Sequence, residues 1–467
     1  MHRLLVSAAH KSSGKTTITL GLCAALNGQG LRVQPFKKGP DYIDPMWLAQ
    51  ACGRPCYNLD PYLMTEAQIH TLFARHASQA DLSMVEGNKG LYDGLALDGS
   101  NSNAALAHML GLPVVLVIDA RGMTRGIAPL ILGYQAFDKN LRIGGVILNR
   151  LGGSRHEAKL RAVIQHYTDV PVLGAIAEDA DLSVAERHLG LMPSHEHAQA
   201  DTLVERIGQR IAQQVDLTHL RVLAASAAPL DHAVTPPAAA SVLATKKVRI
   251  GLARDRAFGF YYPDDLEALQ AAGAELLPFD TLHDAALPAQ LDGLFIGGGF
   301  PELFMDQLQA NTALRQQIGE AIEADLPVYA ECGGLMYLAQ TLSWHKRSCR
   351  MVGALTGNIS VHERPVGRGY VHLRATRQMP WPGLRGRELR AHEFHYSDIA
   401  NLPADTAMAW QVTRGHGVDG AHDGIIYRNL LASYSHLRSL DAAGWAPAFV
   451  DFVRSCRAGT PRTLAEH

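Results

Sequence analysis

The chain has 467 residues, enough for two or three domains, and a hydrophobic content of 47% supports packed cores rather than disorder. Its 43 lysines and arginines against 45 aspartates and glutamates leave a net charge of −2, so no global basic field argues for nucleic acid. Six cysteines without a CxxC pair indicate a reducing compartment, and no second ligand pair completes a zinc site around Cys52 and Cys56. Because we find no signal peptide and no apolar run of ~20 residues, we expect a soluble cytoplasmic protein with no membrane partner.

The first predicted elements are a buried strand over 4–9 and a helix over 16–26, with a phosphate-binding loop between them. Gly14 lets the backbone approach phosphate, Lys15 reaches the β- and γ-phosphates, and Thr16 offers its hydroxyl to magnesium. Ala9 replaces the leading glycine of the P-loop motif, and a helix start without a ligand is the alternative. We therefore predict ATP and Mg²⁺ at this loop, with ATP bound by Ser12, Ser13, Gly14, Lys15, Thr16 and Thr17.

A second strand over 32–36 leads into the segment KKGPDYIDP at 37–45. In an open parallel sheet, ligands bind at the carboxyl ends of strands, so charged side chains here are placed to meet anionic ligands and a metal. A solvated turn is the alternative, because Pro, Gly and Asp favour turns. The candidates are Lys37, Lys38, Asp41 and Asp44.

Further strands are predicted over 82–85, 114–119 and 145–149, with a helix over 127–137. Strands that alternate with helices predict a parallel sheet covered by helices on both faces.

Three polar residues follow these strands. Glu86 stands where P-loop enzymes place the carboxylate that orients magnesium or its water. Asp93 either faces the substrate or is a plain turn aspartate. Asn149 either reads a purine edge or caps a loop.

An Ala- and Pro-rich stretch divides the chain. We predict a first domain over 1–220, a linker over 221–246, a second domain over 247–445 and a C-terminal tail over 446–467. The second domain begins a new α/β series, with strands over 248–253 and 275–279 and a helix over 264–272. The fold class is α/β with two doubly wound, mainly parallel-sheet domains.

The second domain carries a candidate nucleophile. Cys332 follows the apolar run 326–329 in a turn that needs glycine, as a hydrolase nucleophile does at the end of a strand. The strand 294–296 runs into three glycines at 297–299, whose exposed N–H groups suit an oxyanion. His436, delivered by a strand over 430–434, is the candidate base. Among 22 histidines, His392 and His395 are its competitors.

Two sets of motifs now carry a resemblance. GGGFPE, AECGG and ASYSHL, in this order and spacing, resemble the class I glutamine amidotransferase domain. SSGKTT, KKGPDYIDP, EGNKGLYDG and RHLGLMPSHE (187–196) resemble the ATP-dependent amidoligase domain of the cobyrinic acid a,c-diamide synthases. Dethiobiotin synthase is similar to the first half only, and cobyric acid synthase carries a different stretch after its second strand.

The resemblance implies a division of labour. Cys332 and His436 would release ammonia from glutamine, with an oxyanion held by Gly298, Gly299 and Gly333. ATP would phosphorylate the a and c carboxylates of a corrin, with Mg²⁺ held by Thr16, Glu86 and Asp41. The resemblance also implies that the substrate is bound by Lys37, Lys38, Tyr42, Asp44, Lys89, Asp93 and Arg121.

One departure concerns the glutaminase acid. The usual triad has a glutamate two residues after the histidine, where this chain has Arg438. A cation cannot orient an imidazolium as a carboxylate does, so either another acid serves or a Cys–His dyad suffices. Members of the cobyrinate type are similar in lacking that acid, so the dyad is the preferred interpretation.

Two other functions stay open at this point. One is a P-loop ATPase fused to an inactive amidotransferase fold that acts as a binding module; the intact Cys332 and His436 argue against it. The other is the same reaction on hydrogenobyrinic acid or another tetrapyrrole such as a sirohydrochlorin. The sequence does not give the oligomeric state, the order of amidation or the ammonia route.

Overall fold

The structure is a computed structural model that describes residues 1–179, 186–187, 190–197, 199–230 and 247–459, with the backbone alone at 186, 187 and 190. It divides into two compact units, Met1–Ala238 and Ala239–His467. Within the described ranges, none of the helices has the length and apolar character needed to cross a membrane.

The first unit is built on a parallel sheet of seven strands in the order β3-β2-β4-β1-β5-β6-β7. Strands such as Val114–Asp119 are nearly continuous apolar runs, as expected where helices cover both faces of a sheet. Its elements are β1 (His2–Ala8), α1 (Lys15–Gly28), β2 (Val33–Lys38), α2 (Ile43–Cys52), β3 (Tyr57–Leu59), α3 (Glu66–Ala77), β4 (Leu82–Glu86), α4 (Asn103–Met109), β5 (Val114–Asp119), α5 (Ile127–Phe137), β6 (Ile143–Leu151), α6 (Ser154–Tyr167), β7 (Val172–Ala177), β8 (Glu186–Arg187), β9 (Gly190–Leu191), α7 (Ala200–Gln214) and α8 (Leu217–Ala225).

The second unit is built on a nine-stranded mixed sheet in the order β12-β10-β13-β15-β24-β23-β22-β19-β20. The first five strands of this order are parallel and the remaining four are antiparallel. Its elements are β10 (Val248–Ala253), β11 (Phe258–Phe260), α9 (Pro263–Ala271), β12 (Ala274–Phe279), β13 (Gly293–Ile296), β14 (Gly298–Gly299), α10 (Met305–Ala310), α11 (Thr312–Glu323), β15 (Val328–Glu331), α12 (Gly333–Leu338), β16 (Thr341–Trp344), β17 (Arg347–Arg350), β18 (Asn358–Val361), β19 (Gly367–Ala375), β20 (Glu388–His395), β21 (Ser397–Ala400), β22 (Ala407–Arg414), β23 (His422–Tyr427), β24 (Leu430–Ser433) and α13 (Trp445–Arg457).

Two predicted boundaries are wrong. The predicted tail contains α13, in which Trp445, Phe449 and Val453 are buried against the sheet of the second unit. Their spacing of four residues is that of an amphipathic helix. The predicted linker begins too early, because α8 continues to Ala225 and buries Leu223. Residues 231–246 and 460–467 lie outside the described residues.

The segment after the second strand also differs from the prediction. β2 extends through Lys38, so both lysines are strand residues with buried side chains. The segment for which a solvated turn was the alternative contains the start of α2, where an Asp41 oxygen accepts the N–H groups of Ile43 (3.0 Å) and Asp44 (3.2 Å). Asp41 therefore satisfies donors that a helix leaves unpaired at its N-terminus.

Candidate active sites

In the second unit, Cys332 sits on a strained turn between β15 and α12. Its backbone has φ 46° and ψ −101°, a conformation that holds a nucleophile at a sharp strand-to-helix junction. The Cys332 N–H donates to the carbonyl oxygen of Ser433 at 2.7 Å, which fixes the turn to the adjacent strand β24. The residue is only 7% exposed. Cys332 therefore lies in a tight turn at the end of a strand, and its role as nucleophile stays a prediction.

The structure places His436 beside Cys332. The chain leaves β24 at Ser433 and brings the buried imidazole close enough to Cys332 for the cysteine side chain to influence its pKa. Burial acts to lower the pKa of His436, but the hydrogen bonds and charges of Cys332 and Glu331 outweigh burial and raise it to about 10. The site thus stabilises an imidazolium next to the sulfur atom.

A carboxylate contacts the imidazole, a geometry that matches the alternative in which another acid serves rather than the preferred dyad. Glu331 Oε2 is 3.2 Å from His436 Nδ1. Glu331 Oε1 accepts the Tyr329 hydroxyl at 2.6 Å and the Leu437 N–H at 3.1 Å. The sequence search for an acid after the histidine missed Glu331 because it comes directly before the nucleophile.

Arg438, at the position where the usual acid stands, is buried and turned to other partners. Its guanidinium forms an ion pair with Asp264 and lies 4.1 Å from the centre of the Tyr262 ring. The neighbouring Asp265 accepts the Ser439 N–H at 2.6 Å. These contacts anchor the segment after His436 to the start of α9.

The loop before His436 is held by a second buried acid, Asp423. One of its oxygens accepts the Ser433 hydroxyl at 2.8 Å and the Ser435 N–H at 2.9 Å. The other accepts the Tyr434 N–H at 3.0 Å. Asp423 therefore fixes the turn that carries the imidazole.

The two competing histidines occupy other environments. His392 pairs with His436 through backbone hydrogen bonds of 2.7 and 3.2 Å, and its ring centre is 6.1 Å from that of His436. Burial, followed by the charge of His436, lowers the pKa of His392 to about 3, so it is a neutral neighbour. His395 stacks on Tyr434 with ring centres 3.9 Å apart and donates from Nδ1 to the Ser397 carbonyl at 2.7 Å.

The predicted oxyanion glycines lie at this site. Gly298 faces the His436 ring, since a Cβ on Gly298 would be 2.7 Å from its Cε1 atom. A Cβ on Gly333 would be 3.0 Å from the backbone nitrogen of Gly299, so these two residues are in contact. Gly333 begins α12, and the first N–H groups of a helix have no partner within the helix. The arrangement can present backbone donors next to the sulfur of Cys332.

In the first unit, the predicted P-loop has the expected backbone. Gly14 has φ 83° and Ser12 has φ 66°, whereas Ala9 is not among the described residues with positive φ, so alanine is compatible there. Asn149 Nδ2 donates to the Ser13 carbonyl at 2.9 Å, a contact that matches the loop-capping alternative for Asn149. Arg150, which the sequence analysis missed, donates to the Ser12 carbonyl at 2.7 Å.

Charged side chains from four elements converge at the P-loop. Glu86 Oε1 is 2.9 Å from Lys15 Nζ, 2.9 Å from Lys37 Nζ and 2.7 Å from Thr16 Oγ1. Asp44 Oδ2 accepts from Thr16 Oγ1 at 3.2 Å and forms a close ion pair with Lys37. Burial acts to lower the pKa of Lys37, but the negative charges of Asp44, Glu86 and Asp41 outweigh burial. Together they raise the pKa of Lys37 well above its ordinary value.

The cluster has the donors that magnesium prefers. Glu86 Oε2 is buried and has no hydrogen-bond partner among the described residues, and the hydroxyl of Thr16 lies beside the same carboxylate. Oxygen atoms of this kind fit Mg²⁺, which needs only one or two carboxylates when it also binds nucleotide phosphates. Asp44, rather than the predicted Asp41, reaches Thr16, while Asp41 caps α2.

The predicted substrate residues are only partly brought together. Lys38 is buried, and burial lowers its pKa to about 8. The charge of Asp60 opposes this shift, whereas the charges of Lys89 and Lys37 add to it. Lys89 is exposed in a left-handed conformation. The other three have local roles: Asp93 accepts the Gly90 N–H at 2.9 Å, Arg121 pairs with Asp119 at 2.7 Å, and Tyr42 is buried at the start of α2.

Comparison with known proteins agrees with two joined domains. Residues 5–191 match the model of the CobQ/CobB/MinD/ParA nucleotide binding domain, and residues 249–443 match that of the CobB/CobQ-like glutamine amidotransferase domain. A nucleotide-binding domain followed by a glutamine amidotransferase domain defines a glutamine-dependent amidoligase, a carbon–nitrogen ligase.

Curated relatives specify the family. Cobyrinate a,c-diamide synthase of Magnetococcus marinus is 48% identical over 455 residues, which cover 97% of each chain. The proteins of the same name from Methanosarcina acetivorans and Listeria monocytogenes serotype 4b are 41% and 39% identical, over 98% and 94% of this chain and 96% of each relative. The chain belongs to the cobyrinate a,c-diamide synthase family, whose members carry out glutamine-dependent amidation in cobalamin biosynthesis.

Proposed function

We propose that this enzyme uses ATP and glutamine to amidate the a and c carboxylates of cobyrinic acid. The observation that carries the proposal is that one chain holds both a Cys332–His436 pair and a P-loop cluster around Glu86. The first suits release of ammonia from an amide, and the second suits activation of a carboxylate. The substrate is that of the related cobyrinate a,c-diamide synthases.

The glutaminase half-reaction is assigned to the second unit. The Cys332 thiolate attacks the side-chain amide carbon of glutamine, and His436 takes the thiol proton and returns it to the departing nitrogen, so that ammonia leaves. Water then attacks the resulting thioester, which releases glutamate and restores the thiol. Backbone N–H groups of Gly299 and Gly333 are proposed to hold the negative oxygen of both tetrahedral intermediates.

The synthetase half-reaction is assigned to the first unit. A substrate carboxylate oxygen attacks the γ-phosphorus of ATP, ADP leaves, and an acyl phosphate forms. The ammonia lone pair then attacks the acyl carbon and inorganic phosphate leaves, because phosphate is a far better leaving group than oxide.

Residues of the P-loop cluster would hold the reacting phosphates. Lys15 lies at the start of α1, where backbone N–H groups and the helix dipole favour anions. Thr16, Glu86 and Asp44 would hold Mg²⁺. The cation would neutralise negative charge on the β- and γ-phosphates. Release of Lys15 from Glu86 would then leave its ammonium free to contact the phosphates.

Two lysines are the best-placed candidates for the substrate carboxylate. Lys38 ends β2, one residue after Lys37, which stands opposite Glu86 of β4. Lys89 lies close enough for its charge to lower the pKa of Lys38. Two ammonium groups that lie close together repel each other, and a bound anion relieves this repulsion. The pair is therefore suited to bind a carboxylate. Because Arg121 is paired with Asp119, it is a weaker candidate than these lysines.

The second candidate is the same reaction on hydrogenobyrinic acid or a sirohydrochlorin, which would use the same residues. An assay with ATP, Mg²⁺ and glutamine should include cobyrinic acid and hydrogenobyrinic acid as separate substrates. We expect mass spectrometry to show two successive replacements of OH by NH₂ on cobyrinic acid. Turnover of hydrogenobyrinic acid alone would transfer the proposal to that substrate, and turnover of neither would overturn it.

A further inference from the structure

We propose that Glu331, the residue directly before the nucleophile, is the positioning acid that orients His436 in the glutaminase site. The inference rests on the proposed glutamine hydrolysis and names the group that completes it. In this arrangement, nucleophile and acid are neighbours in the chain, and the base lies between their side chains.

The local fold explains how adjacent residues can flank one imidazole. Side chains alternate along β15, so Glu331 points to the same face of the sheet as Tyr329, and that face packs against α13. Cys332 then leaves the strand direction with φ 46°. The turn therefore lets two adjacent residues both act on the His436 imidazole, with the Glu331 carboxylate at Nδ1.

Hydrogen bonds hold the Glu331 carboxylate in one orientation. Its Oε1 atom accepts from the Tyr329 hydroxyl and the Leu437 N–H, and the carboxylate is almost fully buried. The remaining oxygen, Oε2, is the one at 3.2 Å from His436 Nδ1. A buried carboxylate with one oxygen already occupied has a defined direction for its second hydrogen bond.

The chemistry requires an acceptor at this place. A carboxylate at Nδ1 keeps the proton on that nitrogen, so Nε2 carries the lone pair that accepts the proton of the thiol. It also stabilises the imidazolium that forms. The neighbouring position occupied by Arg438 cannot do this, because its guanidinium has donors only and is paired with Asp264.

The test is Glu331→Gln in the full-length enzyme. An amide can place its NH₂ group against Nδ1, which favours the wrong tautomer of the imidazole, and a comparable change in serine proteases costs about 10⁴-fold in kcat. We expect glutamine hydrolysis to lose about 10³- to 10⁴-fold in kcat with little change in the KM for glutamine. Amidation with added ammonium chloride should stay at the wild-type rate.

A second readout separates positioning from a merely structural role. Removal of the carboxylate lowers the pKa of His436, so the imidazolium that accompanies the thiolate is less populated at neutral pH. The rate of Cys332 alkylation by iodoacetamide, measured against pH by intact mass, should therefore rise only at higher pH in the variant. A Cys332→Ser sample identifies alkylation at the other five cysteines.

Two further variants complete the design. Glu393→Gln removes another buried acid, one that lies 3.6 Å from His395, and should leave the pH dependence of Cys332 alkylation unchanged. Tyr329→Phe removes one donor from Glu331 and should lower glutamine hydrolysis by about tenfold. It provides the test if Glu331→Gln does not fold.

The outcomes are distinguishable. Glutamine hydrolysis by Glu331→Gln within about threefold of wild type, or an unchanged alkylation profile, would overturn the role of Glu331. If Tyr329→Phe has to replace it, a wild-type rate of glutamine hydrolysis would do the same. Glutamine hydrolysis by Cys332→Ser would instead contradict the proposed function itself.

Discussion

Substitution of Gly299 by alanine should abolish most glutamine hydrolysis without touching the ATP-dependent site. A Cβ at this position would lie 1.9 Å from the carbonyl oxygen of Ala257 and 3.0 Å from the Cα of Phe258. Both are backbone atoms of the chain that pairs with β14, so no side-chain rotation relieves the overlap. The strand must move by about 1 Å, since carbon and oxygen are essentially never closer than 3.0 Å in such contacts.

The expected loss follows from the donor that moves with the strand. Removal of one oxyanion donor typically lowers kcat by about 10²- to 10³-fold, and a misplacement of about 1 Å has an effect of similar size. We therefore expect Gly299→Ala to lose about 10²- to 10³-fold in kcat for glutamine, with ammonia-dependent amidation retained.

The assay is glutamate release from glutamine, compared with amidation from ammonium chloride. Gly319→Ala is the matched control, because that residue lies within α11 and a Cβ there would meet no atom closer than 3.8 Å. Alanine in a helix interior should be neutral or slightly stabilising. A Gly299→Ala enzyme with wild-type glutamine hydrolysis would refute the assignment of this loop to the oxyanion.

Two other predictions address each unit in turn. Gly14→Ala should abolish ATP binding, measured by titration calorimetry, while glutamine hydrolysis persists. The backbone angle φ of 83° disfavours alanine, and the added Cβ would lie 2.1 Å from Asn149 Nδ2. An ATP affinity equal to that of the wild type would contradict this prediction. Arg438→Met should destabilise the second unit by about 3–5 kcal/mol in urea unfolding at neutral pH, because Asp264 and Asp265 lose their buried cation. Burial, followed by the charge of Asp264, already raises the pKa of Asp265, so the loss should shrink as the pH falls and these acids are protonated. An equal loss at low and neutral pH would argue against the charge explanation.

Much of the fold was predictable because its signals are local. The strand over 114–119, the helix over 127–137 and the strand over 248–253 have the predicted bounds, since continuous apolar runs mark strands that are buried on both faces. The turn at Cys332 was predictable for the same reason, because its glycines follow directly after such a run.

The remaining features depend on contacts between distant segments. Glu331 became visible only when β24 was placed beside β15, which brings His436 to its carboxylate. Which of Asp41 and Asp44 contacts Thr16 depends on the residue at which α2 starts. That start could not be predicted from the sequence because Pro, Gly and Asp in this segment favour turns. The predicted C-terminal tail contains the helix α13, whose apolar residues have helical spacing.

The most direct test of the two-site account is the Cys332→Ser enzyme, assayed with ATP, Mg²⁺ and the tetrapyrrole substrate. The account predicts no amidation with glutamine as the nitrogen source and wild-type amidation with ammonium chloride, because the synthetase site needs only free ammonia. Failure of ammonium chloride to restore activity in a correctly folded variant would contradict the division of labour between the two sites.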